Sequence, residues 1–279
     1  MRHPANGVPP PGPSTSPLRS SAQDAPPGEG SPAPPPHIRL RLPLQPVRVT
    51  YGLLVLIGLT FAAQLGSEML LGADLVLGLG AKVNLLIAHG EIWRLFTAIF
   101  IHGSVLHILF NAYALYNLGR EVETFYGSLR FSLLFLIAGL SGSATSLLLN
   151  PHPAVGASGA IFGLIGAEGV FLYRNRRLLG ERGRRGLQNV IFITVLNLAI
   201  GLQGGIDNWA HLGGLLGGLA LGWFIGPVWA LRFDPATPQE AALADQQPLA
   251  GARWLAVPIA AGALAALTGI AIARIALQR

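Results

Sequence analysis

The chain contains seven stretches that are apolar over most of about 20 residues, the length that an α-helix needs to cross the hydrocarbon core of a bilayer. They cover residues 51–71, 104–119, 130–149, 157–173, 188–204, 210–230 and 254–275. Hydrophobic residues make up 51% of the chain and charged residues only 11%, which is too apolar for a soluble domain of this length. We therefore predict an all-α, polytopic membrane protein, a bundle of seven helices.

Composition divides the chain into three parts. Residues 1–37 are rich in proline and poor in large apolar residues, which predicts a disordered cytoplasmic tail. The tail lacks the short apolar region and cleavage site of a secretory signal, so the first apolar stretch is expected to be a retained span. Residues 38–230 form the predicted six-helix core, and residues 231–279 a cytoplasmic linker with one additional helix.

Basic residues between the spans predict the orientation in the membrane. With the N-terminus inside, all but four of the 19 Lys and Arg residues face the cytoplasm, as the positive-inside rule requires. A bacterial plasma membrane is the expected location. The net charge of +6 is then a topology signal, and no nucleic-acid partner is predicted. Residues 72–103 are apolar but interrupted by charges, which predicts a loop lying in the membrane interface with Trp93 at headgroup depth.

Two helices predicted to begin at the outer face carry a serine and a histidine at their first turns. Ser158 begins the fourth span and His211 begins the sixth, so both are expected at the same depth. A serine hydroxyl becomes a good nucleophile when a base removes its proton, and histidine is suited to that role near neutral pH. Small residues at four-residue spacing follow each of them and favour close helix packing: Gly159 and Gly163, and Gly214 and Gly218.

The second span offers further polar groups at the same depth. His107 and Asn111 are four residues apart, so they lie on one face of a helix. Together with the free backbone N–H groups at the start of the Ser158 helix, they are candidate donors to an oxyanion.

Other interpretations of these residues are open. Serine in a membrane helix commonly serves packing, so Ser158 carries weight only with His211. Zinc bound by His102, His107 and His211 is disfavoured, because an HExxH pattern is absent and Asn is an unusual zinc ligand. Asp207 could complete a triad, but a solvated loop carboxylate is favoured. Ordinary tail or loop positions are expected for His37, His89 and His152.

Four motifs together resemble the rhomboid intramembrane serine proteases over about residues 51–230. They are GASGAIFG with Gly156 and Ser158, AHLGG with His211, HGSVLHILFN with His102, His107 and Asn111, and IWR with Trp93 and Arg94. The resemblance implies a Ser158–His211 dyad, oxyanion stabilisation by His107 and Asn111, and a six-plus-one helical arrangement. It also implies that Glu123 and Gly127 form a structural turn.

The function implied is cleavage of transmembrane segments of other membrane proteins near the outer face of the bilayer, without cofactor or metal. Two other functions are considered, a catalytically silent relative that binds transmembrane helices and a transporter whose polar residues line a path. Glu168, about ten residues into the fourth span, is too deep for the dyad and is expected to hydrogen-bond to a neighbouring helix.

Overall fold

A computed structural model describes residues 39–41, 44–234 and 237–278. The tail predicted over residues 1–37 lies outside the described residues. Helices occupy each of the seven predicted stretches. Their bounds are α1 (Val49–Leu71), α5 (Val105–Ala114), α6 (Arg120–Tyr126), α7 (Ser128–Leu149), α8 (Ser158–Arg174), α9 (Arg176–Gly201), α10 (Asn208–Ile225) and α11 (Ala256–Leu277). A π-helical turn, Leu115–Gly119, joins α5 to α6, so the second stretch is one continuous helix.

The segment between α1 and α5 folds into three short helices rather than an irregular loop. These are α2 (Leu75–Gly80), α3 (Asn84–Ala88) and α4 (Arg94–Thr97). Asp74 caps the first of them by accepting a hydrogen bond from the backbone of Leu77 at 2.8 Å. The segment therefore has a fixed backbone on which polar side chains can be held in place.

Within the described part of the chain, three helical segments are long and apolar enough to cross a membrane by length and composition: Val49–Leu71, Ser128–Leu149 and Arg253–Leu277. The helix that begins with Ser158 has only 17 residues, and α9 starts with a run of arginines. Gly180, at φ 54°, interrupts α9 with a kink near that start. The described part of the chain is thus mostly helical, and its long apolar helices are those of an integral membrane protein.

A small sheet departs from the all-α prediction. It consists of β1 (Arg39–Arg41), β2 (Trp229–Asp234) and β3 (Thr237–Asp245), in the order β1-β3-β2. β1 runs parallel to β3 and β2 antiparallel to it. The sheet can form because α10 ends at Ile225, before the predicted residue 230: Pro227 follows, and proline cannot continue a helix. The freed backbone then pairs between strands, ahead of a 3₁₀ turn at Gly251–Leu255.

The helix α8 packs against both α7 and α10, which also pack against each other. Most of its residues are buried, including its four glycines and its large apolar side chains. Its Leu164 belongs to the same apolar core as Phe131 and Phe135 of α7 and Ile57 of α1. The serine predicted to be the nucleophile is therefore the first residue of the most enclosed helix among those described.

One buried carboxylate joins the start of α1 to α6. Glu123 is fully buried and accepts hydrogen bonds of 2.8–2.9 Å from the backbone N–H groups of Arg48, Val49 and Thr50. The hydroxyls of Thr50 and Ser128 donate to it as well, both at 2.7 Å. An α-helix leaves its first N–H groups unbonded, and Glu123 supplies their acceptor for α1.

We predict that Glu123→Ala lowers the free energy of unfolding by about 3 kcal/mol or more, because several buried donors lose their acceptor at once. Thermal unfolding in detergent measures the effect. Glu121→Ala is the matched control, since Glu121 lies two residues earlier on the same helix and is exposed. Equal stability of the two variants would contradict the assigned role of Glu123.

Candidate active site

The two helices that carry Ser158 and His211 touch through their backbones. A side chain built on Gly214 would collide with the carbonyl oxygen of Gly159, and one built on Gly218 would collide with that of Gly163. Only glycine allows such an approach, because even the methyl group of alanine has no room. The small-residue series noted in the sequence thus lie at the contact between α8 and α10.

The imidazole of His211 lies on the face of α8 that carries Ser158. Its ring stacks on Phe162 with a centroid distance of 4.1 Å and an interplanar angle of 11°. Phe162 is four residues after Ser158, so the two side chains lie one above the other on the helix. His211 is buried, and its Nδ1 has no hydrogen-bond partner among the described residues. Within that part of the chain the structure also shows no hydrogen bond between His211 and Ser158.

The backbone at the start of α8 has N–H groups that can bind an anion. Ser158 is half-buried, and the first amide of α8 to bond within the helix is that of Ile161, which donates to Ala157. The N–H groups at the preceding positions are therefore free of intrahelical acceptors, at the positive end of the helix dipole. Gly156 has a φ of 120°, which other residues rarely adopt, and its N–H donates to Ala98 at 2.8 Å.

His107 lies against the loop that precedes Ser158. A side chain at Gly156 would come within 2.6 Å of His107 Nε2, so glycine is required beside the ring. The N–H of Gly103 donates to His107 Nδ1 at 3.4 Å. Because Nδ1 accepts this hydrogen bond, a neutral His107 carries its proton on Nε2. That N–H lies beside Gly156, in the loop before Ser158.

The other two predicted residues of this region have different surroundings. The amide of Asn111 is buried and donates to the carbonyl of His107, one turn earlier, at 2.9 Å. The ring of His102 is buried edge-on to His107 at 5.1 Å between centroids. Gln64 of α1 holds the backbone of His102 on both sides, by bonds of 2.9 and 3.1 Å.

Trp93 and Arg94 have separate roles in the segment before α5. Trp93 is about half exposed, and its indole N–H donates to Leu79 at 3.4 Å. The guanidinium of Arg94 is buried, donates to the carbonyls of Gly78 and Ala81 at 2.9 and 3.0 Å, and pairs with Glu91 at 2.7 Å. Arg94 therefore fixes the path of the segment. Among the described residues, neither Trp93 nor Arg94 is hydrogen-bonded to Ser158 or His211.

Asp207 is not the solvated loop carboxylate that the sequence predicts. It caps α10 by accepting a hydrogen bond from the N–H of Ala210 at 3.1 Å, and its second oxygen accepts the hydroxyl proton of Ser146 in α7. The prediction is wrong because an aspartate just before an apolar helical run is a typical N-cap, and this signal was present in the sequence.

Lys82 has a structural position that sequence reasoning missed altogether. It is only 1% exposed, and its ammonium group donates to main-chain carbonyls at the end of α7. A lone lysine in an apolar stretch was the available signal. Glu168, in contrast, has no hydrogen bond in the described part of the chain, so the bond expected for it is absent.

Comparison with known proteins places residues 89–228 in a family described as Rhomboid domain. "Rhomboid protease GluP" of Bacillus subtilis (strain 168) is 45% identical over 147 residues, 52% of this chain and 28% of that protein. "RHOMBOID-like protein 1" of Arabidopsis thaliana is 41% identical over 142 residues, 50% of this chain and 36% of the relative. The chain thus spans about a third of the length of these relatives.

We predict that Gly218→Ala lowers the free energy of unfolding by about 1–3 kcal/mol, because the added methyl group pushes α10 away from α8. Gly58→Ala in α1 is the control, since nothing lies within 4 Å of a side chain there and alanine favours a helix. Thermal unfolding of both variants in detergent provides the test. A Gly218→Ala protein as stable as the Gly58→Ala protein would mean that the two helices do not depend on this contact.

Proposed function

The chain belongs to the rhomboid family, and on that premise we propose that it is an intramembrane serine endopeptidase that cleaves membrane proteins in or near their transmembrane segments. One observation carries the proposal. Ser158 is the first residue of α8, and the ring of His211, from α10, stacks on Phe162 one turn further along α8. The imidazole therefore lies against the same face of α8 that carries the Ser158 hydroxyl.

The proposed reaction begins when His211 removes the proton of the Ser158 hydroxyl as the oxygen attacks a peptide carbonyl carbon. The same imidazole then gives the proton to the leaving amine, and water hydrolyses the acyl-enzyme. Both carboxylate oxygens of Asp207 are occupied by Ala210 and Ser146. This supports a dyad rather than a triad.

Stabilisation of the tetrahedral oxyanion falls to groups around the start of α8. The first N–H groups of α8 have no intrahelical acceptor, and His107 Nε2 lies beside Gly156 in the loop that precedes them. Asn111 would join them by turning its amide away from the His107 carbonyl, to which it donates in the structure.

The proposed topology has the N-terminus in the cytoplasm, six spans in the core and α11 as a seventh. Ser158 and His211 then lie near the outer face, where water for the hydrolysis can enter. A substrate helix must unwind locally to be cut, because an intact helix keeps its carbonyls in its own hydrogen bonds. Helix-breaking segments with a small residue at the cut site are the expected substrates.

We predict that Ser158→Ala and His211→Ala each lower kcat for a transmembrane reporter in liposomes by about 10⁴-fold or more, as loss of a nucleophile or its base does elsewhere. A fluorophosphonate probe, which reacts with activated serines, is expected to label the wild type but not Ser158→Ala. If the folded wild type neither cleaves nor is labelled, a helix-binding function without catalysis replaces the protease.

We also predict that Asn111→Ala lowers kcat by about 10²-fold with a much smaller change in KM, because an oxyanion donor acts on the transition state. Asn117→Ala is the matched control. Its amide donates to the carbonyl four residues earlier, as that of Asn111 does, but it is exposed and two turns farther from the start of the helix. A similar loss of kcat in both variants would contradict the role of Asn111.

A further inference from the structure

Three polar residues meet at the C-terminal end of α7, the part of that helix that packs against the first turns of α8 and α10. Ser146 is the common member: its carbonyl oxygen accepts a hydrogen bond from the Lys82 ammonium at 3.4 Å, and its hydroxyl donates to Asp207. Lys82 and Ser146 are each only 1% exposed. We refer to Lys82, Ser146 and Asp207 as the outer polar cluster.

The Lys82 arm of the cluster holds the loop that leads to Ser158. The ammonium group also donates to the carbonyls of Asn150 and His152, both at 2.9 Å. The backbone of Lys82 pairs with Ala154 through two N–H···O bonds of 3.0 Å. Only three residues lie between Ala154 and Ser158, so the lysine fixes most of the loop between α7 and the serine.

The Asp207 arm holds the helix that carries His211. The carboxylate caps the first turn of α10 through Ala210, the residue next to His211. Its other oxygen ties that turn to Ser146. Ser146 is thus hydrogen-bonded to both sides of the site. Its carbonyl binds Lys82, which holds the loop before Ser158, and its hydroxyl binds Asp207, which caps the helix of His211.

Charge favours the same connection. Lys82 lies at the C-terminal end of α7, where unbonded carbonyls and the helix dipole attract a cation. Burial lowers the pKa of the Lys82 ammonium to about 8, and the nearby negative charge of Asp207 acts against that shift. The aspartate therefore supports the charged form of the lysine while it caps α10.

An external tie of this kind matters because the structure shows no hydrogen bond between Ser158 and His211 among the described residues. Their separation is set by the elements that carry them, not by a bond of their own. Catalytic pairs lose rate steeply when misplaced, by as much as about 10²-fold for 1 Å. The loop before Ser158 and the first turn of α10 are the two segments whose relative position must be held.

We propose that Lys82, Ser146 and Asp207 are positioning residues, which keep Ser158 and His211 at reactive separation without touching the substrate. The proposal rests on the dyad described under the proposed function. Under this proposal the hydroxyl of Ser146 contributes to turnover although its described hydrogen bond is to Asp207, and not to Ser158 or His211.

Ser146→Ala is the sharpest test, because it removes the hydroxyl link and leaves the carbonyl that Lys82 binds. We expect kcat and the rate of fluorophosphonate labelling of Ser158 to fall together by about tenfold or more, with KM nearly unchanged. Ser132→Ala is the matched control: it lies on the same helix, and its hydroxyl donates to the backbone of Ser128 at 2.8 Å. That variant is expected to keep wild-type kcat.

Asp207→Asn provides the partner measurement, since an amide oxygen can still cap α10 while the charge is lost. If the two residues act through one bond, the double variant with Ser146→Ala loses little more than the worse single variant. A folded Ser146→Ala protein with wild-type kcat overturns the proposal, as does a fall in thermal stability without any change in turnover. Wild-type and Ser132→Ala proteins that both lack activity would instead count against the protease itself.

A second readout does not depend on activity. The chain contains no cysteine, so a Ser158→Cys/His211→Cys protein can be cross-linked at that pair alone by a short bis-methanethiosulfonate, each end of which forms a disulfide with one thiol and releases a sulfinate. We expect Ser146→Ala in this background to slow cross-linking several-fold, and Ser132→Ala to leave it unchanged. Equal rates in the two proteins would show that the cluster does not set the separation.

Discussion

The contact between the backbones of α8 and α10 determines where every other group of the site can be. Lipid is as apolar as a leucine side chain, so helices in a membrane gain little by burying apolar surface and associate through close packing instead. Glycines at Gly159 and Gly163 facing Gly214 and Gly218 give that packing. Ser158 and His211 lie just before these glycines in their helices, so the contact brings them to the same level.

Three buried charges, those of Glu123, Lys82 and Arg94, follow one rule: each binds the end of a helix whose dipole has the opposite sign. The carboxylate of Glu123 accepts from the first N–H groups of α1, and Lys82 donates to the last carbonyls of α7. Arg94 donates to Gly78 and Ala81 at the end of α2. A charge held this way satisfies backbone groups that a bilayer would leave unbonded, which offsets the cost of burying it.

The sequence predicts the helices, and the close contact between the two helices that carry Ser158 and His211, because both leave local signals. Apolar length marks the helices, and a serine and a histidine followed by glycines at four-residue spacing mark α8 and α10. The position of Lys82 could not be predicted, since its partners are carbonyls more than sixty residues away, which carry no side-chain signal. The cap formed by Asp207 could have been read locally, but its bond to Ser146 is again a long-range contact.

The orientation of the His211 ring depends on the helix that carries it. In a triad, a carboxylate orients the histidine ring, whereas here Nδ1 of His211 has no hydrogen-bond partner among the described residues. Phe162 limits the ring on one face by stacking, but stacking fixes a plane and leaves rotation within that plane open. The remaining orientation must come from the helix that carries the ring, and hence from what fixes the first turn of α10. Among described groups, that turn is fixed by glycine contacts on one side and by the Asp207 cap on the other.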